Sequence, residues 1–142
     1  MKIRDVMTTD VQTVSPDQTA REAASFMLSA DTGSIPVRDG GQVIGMITDR
    51  DIAVRGVAEG LGPDCKVREL MTDGIVCARD DDEISMVAQR MSESQVRRLP
   101  VLNAAGDLVG IVSLGDLSRE ASDAAASRAL EGVSAPGGQH QQ

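Results

Sequence analysis

The stretch Val43-Ile44-Gly45-Met46-Ile47-Thr48-Asp49-Arg50-Asp51-Ile52 returns 65 residues later as Leu108-Val109-Gly110-Ile111-Val112-Ser113-Leu114-Gly115-Asp116-Leu117. Both copies run from apolar residues through a glycine to a hydroxyl and an aspartate. Two earlier stretches repeat at a spacing of 64 residues: Ile3-Arg4-Asp5-Val6-Met7-Thr8 as Val67-Arg68-Glu69-Leu70-Met71-Thr72, and Ser34-Ile35-Pro36-Val37 as Arg98-Leu99-Pro100-Val101. Tandem copies usually bury a shared face. We therefore expect a functional site in the cleft between them.

The composition restricts the partners. The 142 residues carry a formal net charge of −8 and include no Trp, no Tyr and one Phe, Phe26. Binding to a nucleic acid depends on neutralised phosphates and, for single strands, on aromatic stacking, so nucleic acid is not expected as a partner. No apolar run is long enough to span a membrane, and the N-terminus lacks a signal-peptide pattern. These features predict a cytoplasmic protein with no membrane partner.

The chain contains few residues that could support metal binding or redox chemistry. Cys65 and Cys77 lie 12 residues apart in no metal-binding or redox pattern, and the single histidine, His140, lies near the C-terminus. We expect both cysteines to be free thiols in a reducing compartment. The sequence also offers no nucleophile with an adjacent base and no glycine-rich phosphate loop. We expect no metal site, no catalytic residues and no enzymatic activity.

Each copy is predicted to form a short N-terminal segment, a helix, two strands and a second helix. The helix of copy one is expected to begin at Ser15-Pro16-Asp17-Gln18, which has the capping-box form with proline at the first helical position. Helical spacing predicts its apolar face: Ala20, Ala23, Ala24, Met27 and Leu28. The acidic run Asp80-Asp81-Asp82-Glu83 precedes the matching face of copy two: Ile84, Val87, Ala88 and Met91. We interpret this run as helix-start carboxylates rather than as a metal site.

The strands are predicted from short apolar runs with prolines and glycines at matching positions. Pro36 and Pro100 indicate a strand start or an edge strand, because proline cannot donate to the ladder. Gly45 and Gly110 indicate a bulge or a close backbone approach. A second helix is expected to follow near Asp49 in copy one and near Leu114 in copy two.

A hydroxyl and a carboxylate recur where each second strand passes into a helix, as Thr48-x-x-Asp51 and Ser113-x-x-Asp116. A hydroxyl there can donate to a phosphate oxygen, and backbone N–H groups at a helix start favour phosphate. The carboxylate can accept hydrogen bonds from a ribose diol, as acidic residues do in dinucleotide folds. Ordinary N-capping explains the same pattern. A duplication would repeat a capping motif as well as a binding motif, so the repetition does not decide between them. Both interpretations stay open at this stage.

The whole constellation resembles a tandem pair of CBS domains, the Bateman module, and in particular small stand-alone CBS-pair proteins of the hypoxic response type. The resemblance covers about residues 2–120. It implies an α/β (α+β) fold of two pseudo-twofold-related βαββα motifs packed through their sheets. The boundaries we expect are 1–58 for the first motif, 59–66 for a linker, 67–120 for the second motif and 121–142 for a largely disordered tail rich in Ala, Ser, Gly and Gln.

The resemblance also implies two clefts for an adenine nucleotide, each built across the copies. One cleft would combine the following residues: Met46, Thr48, Asp51, Thr72, Val76, Cys77, Arg97 and Arg98. The other would combine their counterparts: Ile111, Ser113, Asp116, Thr8, Gln12, Thr13, Gly33 and Ser34. The first cleft has an arginine pair near the expected phosphate position, where the second has Gly33 and Ser34. Arginine can make bidentate contacts to phosphate, which favours a phosphate role for this pair; a solvated surface pair is the alternative interpretation of Arg97 and Arg98.

The leading hypothesis is therefore a regulatory module that binds an adenosine-containing ligand of the AMP, ADP or ATP class. The alternative is a nucleotide-independent dimerisation or interaction module. By the resemblance, two chains are expected to form a homodimer through exposed apolar faces, here Ala53, Val54, Val57 and their counterparts after Asp116. Any regulated protein is expected to be a separate chain.

Overall fold

The computed structural model describes residues 1–120, and the predicted tail over 121–142 lies outside the described residues. The helices are α1 (Ala20–Ala30), α2 (Asp49–Asp51) and α3 (Ile84–Ser94), and a π-helix over Ile52–Val57 follows α2 directly. Residues 114–120 are also helical. The strands are β1 (Ser34–Asp39), β2 (Gln42–Thr48), β3 (Thr72–Asp73), β4 (Ala78–Arg79), β5 (Arg98–Leu102) and β6 (Leu108–Ser113). Single 3₁₀ turns occupy Ile3–Asp5 and Val67–Glu69. The predicted mixture of helices and strands is confirmed.

The chain forms two compact units, named here after their aspartates. The Asp51 unit contains Asp10–Val76 and Gly106–Leu108, and the Asp116 unit contains Met1–Thr9, Cys77–Ala105 and the described residues from Val109 onward. Each unit thus combines most of one sequence copy with the N-terminal segment of the other. The boundaries of the compact units therefore do not coincide with the boundaries of the sequence repeats.

The Asp51 unit is built on an antiparallel sheet with the strand order β1-β2-β3. Gly40 and Gly41, both with positive φ, form the β1–β2 turn. β3 pairs with β2 through Gly45 opposite Asp73 and Met46 opposite Thr72. The sheet packs against α1 and the Val67–Glu69 turn around one buried cluster: Val14, Ala20, Ala23, Met27, Ile35, Val37, Ile47, Val67 and Leu70.

The Asp116 unit has a second three-stranded sheet, with the order β4-β5-β6. β4 runs parallel to β5, with Ala78 opposite Val101. Thr8 forms an antiparallel bridge with Ile111 of β6, with backbone N–O distances of 2.9 Å in both directions. The buried cluster of this unit is formed by the following residues: Ile3, Ala78, Ile84, Val87, Met91, Leu99, Val101, Val112 and Leu117.

The predicted start of α1 is wrong by several residues. The helix begins at Ala20 with Thr19 as N-cap, and Thr19 and Glu22 form the capping box. Residues 15–18 instead form a turn, in which the Ser15 amide donates to Gln18 Oε1 at 2.9 Å. The carbonyls of Pro16 and Gln18 accept hydrogen bonds from the distant amides of Arg68 and Val67. They are therefore not available as the first acceptors of a helix.

The apolar face of α1 is narrower than predicted, whereas that of α3 is close to the prediction. Ala24 is exposed and Leu28 is 85% exposed, so only Ala20, Ala23 and Met27 of the predicted set are buried. In α3, by contrast, Ile84, Val87 and Met91 are buried and Ala88 is half-buried. The stripe of α1 spans only positions i, i+3 and i+7, which is less than the usual width of a core-facing helix face.

The strand prolines and glycines have specific structural roles. Pro36 lies in β1, the outer strand in the order of its sheet as predicted, although Val14 forms an isolated parallel bridge along its outer side. Pro100 lies in the central strand β5, so the expected edge is wrong there, but β4 pairs with β5 only from Val101 onward. The predicted close approach is confirmed at both glycines. A Cβ on Gly45 would lie 2.5 Å from Thr72 O, and one on Gly110 would lie 2.9 Å from Thr8 O and 2.6 Å from Met7 Sδ.

Candidate functional site

In the Asp51 unit, Thr48 ends β2 and caps the helix that follows. Thr48 Oγ1 accepts a hydrogen bond from the Asp51 amide at 3.0 Å, and Asp51 Oδ2 accepts one from the Thr48 amide at 2.9 Å. The pair is therefore a reciprocal capping box, the geometry of the capping interpretation. The Asp51 side chain is 15% exposed. A carboxylate has about four lone-pair directions, so capping leaves it capacity to accept from a ligand.

Arg55 is the residue of this site that the sequence analysis missed. Its Nε lies 3.9 Å from Asp51 Oδ1. Its Nη1 donates to the carbonyl oxygens of Leu70 at 3.3 Å and Met71 at 3.1 Å. The spacing of four residues between Asp51 and Arg55 could have indicated the ion pair. No sequence signal indicated the two carbonyls.

The structure brings Thr72 next to the Thr48–Asp51 motif. Thr72 is exposed and pairs with the buried Met46, two residues before Thr48. Gly45 permits this approach, because a side chain at that position would collide with the Thr72 carbonyl. Val76 belongs to the same unit and is exposed. Five residues of the first predicted cleft thus belong to one compact unit: Met46, Thr48, Asp51, Thr72 and Val76.

The Asp116 unit repeats this arrangement with a different partner for the carboxylate. Ser113 Oγ accepts from the Asp116 amide at 3.1 Å. Asp116 Oδ1 lies 3.0 Å from Arg119 Nη1, and the Asp116 side chain is 41% exposed. Thr8 and Ile111 pair as Thr72 and Met46 do. This carboxylate is therefore more open to solvent than Asp51, and its arginine lies three residues along the helix rather than four.

The remaining predicted site residues belong to the unit opposite their assigned cleft. Cys77, Arg97 and Arg98 are part of the Asp116 unit; the second set is part of the Asp51 unit: Gln12, Thr13, Gly33 and Ser34. Arg97 and Arg98 are exposed, whereas Ser34 is buried. Their assignment to the clefts stays a prediction.

Two of these residues have distinctive surroundings. The hydroxyl of Ser34 is buried without a hydrogen-bond partner in the described part of the chain, and an unpaired buried polar group costs about 1–3 kcal/mol. Burial raises the pKa of the Cys77 thiol. Cys77 is therefore less ionised near neutral pH than an exposed thiol, which lowers its reactivity.

The acidic run before α3 has structural partners. Asp82 Oδ2 accepts from the Arg79 amide at 2.9 Å and pairs with Arg90 Nη2 at 3.3 Å. Glu83 pairs with the Lys2 ammonium at 2.9 Å and with the N-terminal amine at 3.4 Å. Within residues 1–120, no three His, Cys, Asp or Glu side chains are grouped so that they could hold a metal ion.

With this geometry in place, comparison with known proteins identifies the class. The chain belongs to the CBS domain family, because the family model matches it twice, over residues 3–56 and 67–123. The resemblance found in the sequence is confirmed. Among residues 1–120, no helix is long and apolar enough to cross a membrane.

Its relatives include proteins that it matches over nearly the whole length of both chains. The CBS domain-containing protein YhcV of Bacillus subtilis is 43% identical over 133 residues, covering 93% of this chain and 94% of the relative. Hypoxic response protein 1 of Mycobacterium tuberculosis is 35% identical over 135 residues, with 94% of both chains covered.

Solved structures of similar chains contain several ligands. The CBS domain pair of protein MJ0100, in complex with 5'-methylthioadenosine and S-adenosyl-L-methionine, matches with a TM-score of 0.78 and 26% identity over 87% of this chain and 98% of that one. CBSX2 in complex with AMP matches with a TM-score of 0.75 and 25% identity over 87% and 98%. Hypoxic Response Protein I with two coordinated zinc ions matches with a TM-score of 0.75 and 36% identity over 84% and 98%.

Proposed function

We propose that this chain is a regulatory module that binds an adenosine-containing ligand of the AMP, ADP or ATP class, with no catalytic role of its own. The observation that carries the proposal is the duplicated pairing of a helix-capping hydroxyl with a carboxylate that keeps unused acceptor capacity. Two related CBS pairs hold AMP or S-adenosyl compounds in their solved structures.

Asp51 has the chemistry to bind a ribose. Its Oδ2 is oriented by the Thr48 amide, so the carboxylate is fixed before a ligand arrives. The two hydroxyls of a ribose can donate to its remaining lone pairs. Hydrogen bonds to a charged acceptor contribute about 1.5–3 kcal/mol each. We propose Asp51 as the main ribose acceptor and Asp116 as its weaker counterpart.

The phosphate and the base would use other groups. Thr48 Oγ1 accepts from the Asp51 amide and can still donate its own proton to a phosphate oxygen. Arg97 and Arg98 are proposed as phosphate contacts on the basis of the family resemblance. The base would lie against aliphatic side chains such as Met46 and Val76, because the chain has no Trp or Tyr.

Calorimetry with adenosine and AMP tests this assignment. Asp51→Ala is expected to weaken both ligands about ten- to hundredfold, in line with the loss of one to two charge-assisted bonds. Asp116→Ala is the matched control and is expected to have the smaller effect. Arg98→Ala should weaken AMP and leave adenosine nearly unchanged. Equal affinities of the wild type and Asp51→Ala for AMP would refute the site.

A spectroscopic test needs no variant. Because the chain contains no Trp or Tyr, a bound adenine would dominate its near-ultraviolet absorption after desalting. Ligand at about 100 times its dissociation constant should also add about 2.7 kcal/mol of stability. A flat thermal response to AMP, ADP, ATP and S-adenosylmethionine would favour the interaction module.

A second candidate function, homodimerisation, is favoured by an apolar surface on the Asp51 unit. Val57 is 72% exposed, and Val54 and Leu61 are exposed beside it. Next to them lies a groove of about 300 Å³ with an almost wholly apolar lining: Ala20, Arg21, Ala24, Ile52, Gly56, Val57, Leu61, Gly62, Pro63 and Cys65. Exposed apolar patches of this kind mark interaction surfaces. We propose that a second copy of the chain covers this surface.

The apolar surface proposed for the dimer is not repeated on the Asp116 unit. At the positions that match Ala53 and Val54, the Asp116 unit has Ser118 and Arg119, so the expected apolar counterparts are wrong there. Sedimentation should show a dimer at micromolar concentration. Val57→Asp should shift it toward the monomer, whereas Arg119→Asp should not. A wild-type chain that sediments only as a monomer would refute the dimer.

A further inference from the structure

Arg55 connects two parts of the Asp51 unit that are distant in sequence. Its Nε faces Asp51 Oδ1 at 3.9 Å, and its Nη1 is shared between the carbonyls of Leu70 and Met71, at 3.3 and 3.1 Å. A guanidinium group has five N–H donors in a rigid planar fork. One side chain can therefore hold a carboxylate and a pair of carbonyls at the same time.

Local backbone structure explains why Arg55 can reach both the carbonyls and Asp51. Leu70 and Met71 follow the 3₁₀ turn Val67–Glu69, and carbonyls at a helix end lack intrahelical partners. At the other end, Arg55 lies one turn after Asp51, in the π-helix over Ile52–Val57. The Ala58 amide bonds to Ala53 O at 2.9 Å in the wider i→i+5 pattern of that helix. Such π segments are frequent at functional sites.

The two segments that Arg55 connects both contribute residues to the proposed ligand site. Leu70 and Met71 lead directly into Thr72, which pairs with Met46 of β2. Asp51 and Thr72 are therefore each linked to Arg55, one by an ion pair and the other through the preceding backbone. In the Asp116 unit, the position that matches Arg55 is Glu120, and Asp116 pairs with Arg119 instead.

We propose that Arg55 is a positioning residue that orients the Asp51 carboxylate and ties it to the segment Leu70–Thr72. This inference rests on the proposed function, because it assigns to Arg55 the orientation of the ribose acceptor. Arg55 acts through Asp51 and does not itself contact the ligand. In the Asp116 unit the matching position is Glu120, whose carboxylate cannot donate hydrogen bonds to an aspartate and a pair of carbonyls.

The test is a thermodynamic cycle with adenosine as the ligand, because adenosine carries no phosphate whose attraction to a positive charge would confuse the result. Arg55→Met is expected to weaken adenosine about three- to tenfold in the wild-type background. It is expected to have no further effect in the Asp51→Ala background. Arg55→Lys keeps the charge but not the fork and should restore part of the affinity. Equal losses in both backgrounds would show a merely structural role and overturn the inference.

Arg38→Met is the matched control. Arg38 is exposed on the same sheet, near the β1–β2 turn and away from Thr48. Its replacement removes the same charge and should leave adenosine affinity unchanged. A loss equal to that of Arg55→Met would assign the effect to net charge and overturn the inference. Circular dichroism and thermal unfolding verify that each variant is folded.

A second measurement needs no ligand. The Thr48 amide donates to Asp51 Oδ2, so its hydrogen exchange reports how firmly the carboxylate is held. Arg55→Met should accelerate this exchange several-fold relative to the wild type and to Arg38→Met. Unchanged Thr48 exchange would overturn the inference even if adenosine binds. Faster exchange in a protein that binds no adenosine would support the tie and refute the proposed ligand function.

Discussion

The two strand–helix junctions of this chain share a motif but treat its carboxylate differently. In both, a hydroxyl accepts a hydrogen bond from the amide of the aspartate three residues later. Asp51 is largely buried and lies beside an arginine that also holds a distant backbone segment. Asp116 is more exposed and pairs with an arginine of its own helix. The two copies therefore share the capping hydrogen bond but differ in the arginine that pairs with the carboxylate.

This difference shows which part of the motif is structural. The cap satisfies backbone groups at a helix start, which every such junction needs. The partner of the carboxylate is not needed for the cap and is free to vary. A functional difference between the junctions is therefore to be sought in Arg55 and Arg119 rather than in Thr48 and Ser113.

The largest expected effect compares the two strand glycines. Gly45→Ala should destabilise the protein by about 3 kcal/mol, because the added Cβ meets a backbone oxygen and overpacking costs are of this order. Gly110→Ala should cost less, about 1–2 kcal/mol, because the two nearest atoms belong to the flexible Met7 side chain and the backbone oxygen, Thr8 O, is farther away at 2.9 Å. Urea unfolding measures both.

Gly62→Ala is the control for the glycine comparison, since a Cβ there meets nothing within 4 Å. It should leave the free energy of unfolding within about 0.5 kcal/mol of the wild type. If Gly45→Ala were as mild as Gly62→Ala, the close approach of β3 to β2 would be wrong.

An intermediate effect is expected at the start of α1. Thr19→Ala should cost about 1 kcal/mol, because it removes the side-chain acceptor of the Glu22 amide. Ser15→Ala is the matched control and should cost less, although the sequence pattern favoured Ser15 as the cap. A larger loss for Ser15→Ala in thermal unfolding would restore the helix start predicted from the sequence.

The smallest effect concerns the start of α3 in the Asp116 unit. Hydrogen bonds from Lys2 and the N-terminal amine hold the pKa of Glu83 below its ordinary value of 4.5. A carboxyl whose pKa is lower in the folded than in the unfolded protein stabilises the fold at pH values above its unfolded-state pKa. That contribution is lost as the pH falls through the folded-state pKa. Glu83→Gln should therefore lower Tm slightly at neutral pH.

Two conditions check this pH dependence. The difference in Tm between Glu83→Gln and the wild type should shrink as the pH falls below 4.5 and through the lowered folded-state pKa of Glu83. It should also shrink in high salt, because the pairs are exposed and screened. A difference that persists in acid would indicate that Glu83 acts through packing rather than charge.

Much of the candidate site could be predicted from the sequence. The Thr48–Asp51 and Ser113–Asp116 pairs were predicted as caps or ligand groups, and the caps are present. The glycine approaches were predicted from strand position alone. Arg55 was missed because its acceptors are carbonyls, which carry no residue-specific signal. Ala24 and Leu28 were assigned to a core that is too narrow to reach them.

What the sequence determined by itself is local or repeated: the two copies, the strands and helices within them, and the capping hydroxyls. These follow from side-chain periodicity and from contacts a few residues apart. Only the tertiary structure decided between Ser15 and Thr19 as the start of α1, which segment β2 pairs with, and what Arg55 holds. Each of these depends on backbone groups between about 15 and 50 residues away. Every residue offers the same backbone donor and acceptor, apart from proline, so only folding selects the partners.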